Sequence, residues 1–234
     1  MSYKYDLHCH TMEGSACSDF PLRDIVEFYK RHGYQGFCVT DHFTGNSRLP
    51  EDTPWAERVN FHYDIYDKTQ EAAAKLHLSV FFGMEVSILR DPLRMKSETG
   101  THFLILGLER EWLLANADMF SANPVKDFAK IRAAGGFIIH AHPFNEASWI
   151  DYIRLLPRSV DAVEVINGGQ SEQSNYLARQ YAENYGLPAT AGTDLHHKDR
   201  SACCGISTSV SCGSVRGLVE EIRQGRAEVF AMTI

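Results

Sequence analysis

Short β-rich runs alternate with amphipathic helical segments along the chain, and this alternation restricts it to an α/β fold made of repeated βα units. Seven runs read as strands: Tyr3 to His8, Gly36 to Thr40, Leu78 to Gly83, His102 to Gly107, Gly136 to Ala141, Ala162 to Ile166 and Pro188 to Gly192. Between them, "PLRDIVEFYKRHGY" opens on proline and closes on glycine, the terminal asymmetry that helices prefer. "WAERVNFHYDIYDKTQEAAAKLH", "NPVKDFAKIRAAGG" and "SEQSNYLARQYAENYG" are further helical segments, and "GSVRGLVEEIRQGRAEVF" reads as a closing helix followed by a terminal strand. A single barrel of such units accommodates all 234 residues, so residues 1–234 are expected to form one domain. Two longer loops, "FTGNSRLPEDTP" and "RDPLRMKSETG", have the length of functional segments rather than minimal connections.

The strand ends carry the chemistry. On a strand, side chains alternate between faces, so His8 and His10 of "DLHCHT" point together while Cys9 points away. Alone, this pair reads equally as a metal chelate or as the polar end of a strand. It has company, however: "VTDH", "GME", "THF", "HAHP" and "GTDLH" mark the other strand ends. In a βα barrel the C-terminal ends of the strands open onto one face, which would gather His8, His10, His42, Glu85, His102, His142, Asp194 and His196 into one pocket. Imidazole with carboxylate suits zinc, manganese or iron, and eight ligands exceed what one ion can use, implying two or three divalent metals. Two such ions about 4 Å apart can activate a shared water and hold both the attacking and the leaving oxygen of an in-line displacement. Glu85, with two oxygens, is the natural bridge, and Glu85, Asp194 and His196 are the candidate catalytic groups. His32, His62 and His77 fall on helical segments and read as solvated or capping residues.

Composition narrows the partners. With 44% hydrophobic and 23% charged residues, and no apolar run of membrane-spanning length, the chain can bury a full core and is not expected to associate with a membrane. The start, "MSYKYDLHCHTMEG", lacks the apolar region of a signal peptide, so a cytoplasmic location is expected. The six cysteines lack C-x-x-C spacing and read as reduced thiols. A net charge of −7 without a Lys/Arg run argues against non-specific nucleic-acid binding.

The ordered series "DLHCHT", "TDH", "GME", "AHP" and "GTDLH", from His8 to His196, resembles that of the PHP-domain (polymerase and histidinol phosphatase) superfamily. The resemblance implies a distorted (β/α)7 barrel of TIM-barrel type with a trinuclear centre that hydrolyses phosphoesters. It assigns His8, His10, Glu85 and Asp194 to one metal, and lets Glu85 bridge to a second held by His102 and His142. The third would rest on His42 and His196. The family usually adds one more ligand from the loop after the H-x-H pair, where this chain has Ser15 or Ala16. Glu13 is the nearest carboxylate and the expected replacement, with Asp19 and the Cys17 thiolate as alternatives.

A small phosphorylated metabolite or nucleotide is the expected substrate. Arg48, Arg90 and Arg200 lie on loops after ligand-bearing strands, where their guanidinium forks could hold phosphate. His140 shares the two-residue spacing with His142 and is a further candidate for substrate contact, or else a buried hydrogen-bonded residue. Asp41 reads as orienting a histidine or the backbone. The alternative activity is a metal-dependent nuclease. An amidohydrolase barrel would leave His42 and His196 unused, and a binding module would bind metal without turnover.

Overall fold

The computed structural model describes residues 2–87, 101–117, 119–120, 124–147, 150, 153–200 and 202–234. Their strands are β1 (Tyr3–Asp6), β2 (Gly36–Val39), β3 (Ser79–Ser87), β4 (His102–Leu106), β5 (Phe137–Ala141), β6 (Ala162–Asn167), β7 (Ala189–Gly192), β8 (Ala202–Thr208) and β9 (Glu228–Thr233). The helices are α1 (Leu22–Arg31), α2 (Trp55–Ala74), α3 (Arg110–Ala115), α4 (Pro124–Ala133), α5 (Glu172–Tyr185) and α6 (Val215–Arg223). The first seven strands are those expected from the sequence. β8, β9 and the short α3 complete the set, with β8 and β9 continuing the sheet beyond β1 in the order β7-β6-β5-β4-β3-β2-β1-β8-β9.

One strand departs from a uniform (β/α)7 pattern. β1, β2 and β3 pair in parallel, as do β5, β6 and β7, whereas β4 is antiparallel to both of its neighbours. An antiparallel neighbour needs no crossover helix, and among the described residues none lies between β3 and β4. His102 therefore begins its strand instead of ending it, yet register still sets it at the mouth, opposite Ser87 on one side and Ala141 on the other.

The barrel closes where the segments that follow β1 and β7 meet. Past β1 and β7, the backbone of Asp194 donates to the His8 carbonyl at 3.0 Å, and that of His10 to the Leu195 carbonyl at 3.0 Å. Below this seam the buried Asp6 carboxylate accepts from the backbone N–H groups of His8 and Thr193, both at 3.0 Å, and from the Tyr29 hydroxyl at 3.0 Å. Gly192 permits the approach, since a Cβ there would collide with the His8 side chain.

Helices cover the outside. Val59 and Tyr63 of α2 pack against Phe82, Met84, Phe103 and Ile105, while Ile25, Val26 and Tyr29 of α1 pack against Phe37 and Val39. A third cluster joins Tyr5, Leu7, Leu104, Phe137 and Ile139 to Leu218 and Ile222 of α6. Arg223 lies over the Phe137 ring at the start of β5, so α6 plugs the end of the barrel remote from the ligands. Among the described residues, no helix is long and apolar enough to cross a membrane.

Burial pushes the Asp6 carboxyl up from its ordinary 3.8 to about 6, in spite of its three donors. A raised acid pKa stabilises the fold below 3.8, and that contribution is lost as pH rises through about 6. Thermal melts across this range are expected to show wild type losing ground to Asp6→Asn by on the order of 3 kcal/mol as pH rises. Parallel curves for the two proteins would contradict it.

Candidate metal centre

The ligand residues arrive at the mouth from six strands, and four groups of three form there. His8, His10 and Glu85 form one, His8, His142 and Asp194 a second, Glu85, His102 and His142 a third, and His10, His42 and His196 a fourth, each with ligand atoms within 4.8 Å of one another. Glu85 sits at the centre. Its Oε1 is 3.0 Å from His102 Nδ1, 3.2 Å from His142 Nε2 and 3.5 Å from His8 Nε2, and its Oε2 is 2.8 Å from His42 Nδ1 and 3.4 Å from His10 Nε2. A lateral β-bridge between His42 and Glu85 fixes that closest pair.

For three of the rings, a partner on the far side determines which nitrogen faces inward. His8 Nδ1 lies 2.9 Å from the Glu164 carboxylate, which can only accept when ionised, so Nδ1 carries the proton and the Nε2 lone pair points to the centre. For His10 the partner is Ser15, through a three-way arrangement. The single Ser15 hydroxyl proton goes to Asp41 Oδ1 at 2.7 Å, which leaves Oγ to accept from the His42 backbone N–H and from His10 Nδ1–H, each at 3.0 Å. Asp41 is itself held by the Thr11 backbone N–H and hydroxyl, both at 2.7 Å. His196 Nδ1 donates to the Asp194 carbonyl at 3.0 Å.

This arrangement fits metal ions. His8 Nε2 and His10 Nε2 face each other at 3.0 Å with Asp194 Oδ1 3.4 and 3.5 Å away. With both Nδ1 protons engaged, neutral rings would set two lone pairs against each other here; although burial opposes it, Asp194, Glu164 and Glu85 hold the His8 pKa well above its ordinary value, and a shared cation can take the place of that proton. His42 Nδ1, His102 Nδ1 and Glu85 Oε2 are likewise buried without a hydrogen bond, despite their short separations. Burial pushes the Glu85 and Asp194 carboxyls up, but the surrounding imidazoles more than reverse this and hold both well below the usual range. His142 and Asp194 adopt positive backbone φ angles of 26° and 53°, uncommon outside glycine, and both are ligand residues at strand ends.

Several expected residues lie elsewhere. The Glu13 carboxylate accepts from the Leu22 backbone N–H at 3.0 Å; because Pro21 offers no capping side chain, the free N–H at the start of α1 takes Glu13 away from the metal cluster. Asp19 pairs with His197 at 3.1 Å on the surface. Arg48 donates to the Met12 and Ser18 carbonyls at 2.9 and 3.1 Å, tying two loops together. His140 turns to the helix-covered face, stacked on Phe103 and edge-on to Tyr181, and burial pulls its pKa down to about 3. Its shared parity with His142 fails because β5 ends at Ala141 and the left-handed His142 redirects the chain. Arg90 falls outside the described residues.

Arg200 stands at the rim. Its Nη2 donates to the Asp194 carbonyl at 2.7 Å, and its Nε is buried without a partner. Burial raises the Cys17 thiol pKa, but the imidazoles of His196 and His42 bring it down to about 7. Glu164 and Ser15 hold His8 and His10 in place, and residue type alone marks Glu164 only as a weaker pocket candidate and Ser15 not at all. The strand-end carboxylate in "EVIN" is the one available signal for the first.

A family model, the PHP domain, matches residues 6–187. No curated protein matches the sequence. Among solved structures, a two-domain protein from Bacteroides vulgatus containing a predicted PHP-like metal-dependent phosphoesterase is 18% identical, with TM-score 0.69, covering 98% of this chain and 65% of that one. PsfC from Pseudomonas syringae is 16% identical, with TM-score 0.64, covering 100% of this chain and 92% of that one. An amidohydrolase from Chromobacterium violaceum, with bound sulfate and no metal, is 16% identical, with TM-score 0.59, covering 96% and 97% of the respective chains. At these identities the likenesses establish the fold alone. This chain spans 65% of the length of the Bacteroides protein.

Glu164 Oε2 also accepts from the His142 backbone N–H and from Asn167 Nδ2, each at 2.9 Å, so an amide at this position cannot satisfy all its donors. Glu164→Gln is expected to weaken manganese or zinc binding 10- to 100-fold by calorimetry, and to shrink the metal-induced rise in melting temperature. Asp19→Ala, a surface change, is the control. Equal affinities in wild type and Glu164→Gln would refute this role for Glu164.

Proposed function

The chain belongs to the PHP-domain family, a family of metal-dependent phosphoesterases, and on that premise we propose that it hydrolyses a phosphoester of a small metabolite or nucleotide, using two or three divalent ions drawn from zinc, manganese and iron. The observation that carries this reading is the pair of inward-facing imidazole nitrogens 3.0 Å apart beside a buried carboxylate that meets five imidazoles. His8, His10, Glu85 and Asp194 would hold one ion, Glu85 with His102 and His142 a second, and His42 with His196 a third. Bound there, divalent ions would supply Lewis-acid charge and an activated water for attack on phosphorus.

The protein's own groups do the positioning. Glu164, Ser15 and the Asp194 carbonyl keep the Nδ1 protons of His8, His10 and His196 pointing away from the centre, leaving Nε2 of each as the ligand atom. Glu85 and Asp194, both held ionised by their imidazole neighbours, offset the positive charge of the ions. Half-buried His102 and His196 mark the side open to substrate, and Arg200 at the same rim is placed to hold a phosphate oxygen. Sulfate on the Chromobacterium protein is in keeping with a fold that accepts tetrahedral oxyanions. The net charge of −7 favours a small substrate over a nucleic acid.

Manganese-loaded protein is expected to release phosphate from a panel of sugar, nucleotide and aryl phosphates, and His10→Ala to abolish release. Turnover that survives in His10→Ala would end this reading, and cleavage of labelled oligonucleotides in place of the small esters would favour a nuclease. Arg200→Ala is expected to lower kcat/KM on the order of tenfold or more, the value of a charged hydrogen bond to phosphate. An unchanged kcat/KM would remove Arg200 from the site.

A further inference from the structure

Of the four groups of ligand atoms at the mouth, one differs from the rest in charge. Three include Glu85 or Asp194, whereas the group of His10, His42 and His196 offers imidazole alone. The loop beside it does not make up the difference. Glu13 accepts from the Leu22 backbone, Asp19 pairs with His197 on the surface, and at Ser15 a neutral hydroxyl gives its proton to Asp41 and accepts from His10 and from the His42 backbone N–H. Glu85 Oε2 lies 2.8 Å from His42 Nδ1, and Asp194 Oδ1 3.2 Å from His196 Nδ1, but both carboxylates also belong to the other groups. Among the described residues, the His42–His196 pair therefore has no anion of its own.

We propose that the centre keeps two resident divalent ions, and that an ion at His42 and His196 binds together with the phosphate of the substrate, which brings the negative charge this pair lacks. The proposal rests on the metal-centre reading above and deepens it by naming a substrate class. A phosphomonoester carries close to two negative charges above its second pKa of about 6, whereas a diester carries one, so the monoester is the matching partner.

The balance of charge around the ligands supports this. Four carboxylates stand there as ligands or as pure hydrogen-bond acceptors. Glu85 and Asp194 are ligands; Glu164 accepts from His8, the His142 backbone and Asn167, and Asp41 from Thr11 and Ser15. Asp6, below the seam, faces backbone N–H groups and the Tyr29 hydroxyl instead of the ligand rings. With neutral imidazoles, two divalent ions cancel the four charges. A third ion leaves two positive charges in excess, in a pocket where His8 and His10 are 0% and Glu85 is 1% exposed, and uncompensated charge so far from water is costly. A phosphate dianion cancels that excess, and the pair is open to it: His196 is partly exposed, and Arg200, whose Nη2 holds the Asp194 carbonyl at 2.7 Å, adds positive charge at the same rim. Ion and anion then favour each other's binding by the same factor.

Metal-stripped protein dialysed against cobalt(II) near neutral pH, with and without inorganic phosphate, tests this by elemental analysis. About two equivalents of cobalt per chain are expected in phosphate-free buffer and about three once phosphate is added. Dimethyl phosphate, a diester, should leave the count unchanged at the same concentration. His42→Ala should show no phosphate-dependent uptake, and Ser15→Asp, which places a carboxylate in the loop, should take up the extra ion without phosphate. A wild-type count that phosphate does not raise overturns the proposal and leaves the metal centre standing. An equal rise with dimethyl phosphate overturns the choice of a monoester. Wild-type protein that takes up no cobalt in either buffer overturns the metal centre with it.

Discussion

Everything at the mouth of this barrel is organised around one buried carboxylate. Glu85 is 1% exposed and lies within 3.5 Å of ring nitrogens from five histidines, on strands or strand ends that approach from different sides. A carboxylate so far from water is costly unless positive charge stands close by, and five imidazoles cannot all donate to its two oxygens. Cations resolve both problems together: they neutralise Glu85 and give the lone pairs of the histidines something to bind.

Around this centre the protein has built a layer of groups that act on the ligands without joining them. Asp41 orders Ser15, Ser15 orders His10, and Glu164 orders His8 while tying down the backbone of His142 and the side chain of Asn167. Asn167 in turn reaches Asp194 at 3.3 Å. The tautomers of His8, His10 and His196 are therefore fixed from behind, and their inward faces are left free for binding. Such preorganisation limits how far a ligand must move when an ion arrives.

Much of this is legible in the sequence, and the exceptions have physical causes. His8 and His10 follow from alternation along a strand, and Glu85, His142, Asp194 and His196 follow from the recurrence of ligand-type residues where β-rich runs end. The reversal of β4 is not legible, because a run of apolar residues reads the same in either direction; His102 reaches the mouth for a reason opposite to the one the pattern suggests. His140 shows where alternation stops being reliable, since a left-handed residue at a strand end breaks the parity it depends on. Glu13 shows competition between roles. A carboxylate near a site is equally near a helix start, and the unsatisfied amide of Leu22 wins it. Ser15 stands where a ligand is usual and acts as a hydrogen-bond acceptor for one, a role that residue type alone does not reveal.

The seam between His8 and Asp194 bears on how the chain acquires its site. Asp6 and Thr193, the pair below that seam, are 187 positions apart. Contacts so distant are entropically expensive to form and are made after local helices and hairpins. Until the segment around Asp194 has left the ribosome, His8 and His10 are without their closing partner. Full chelation thus becomes available when the final strand of the ring docks, so metal uptake would follow completion of the barrel.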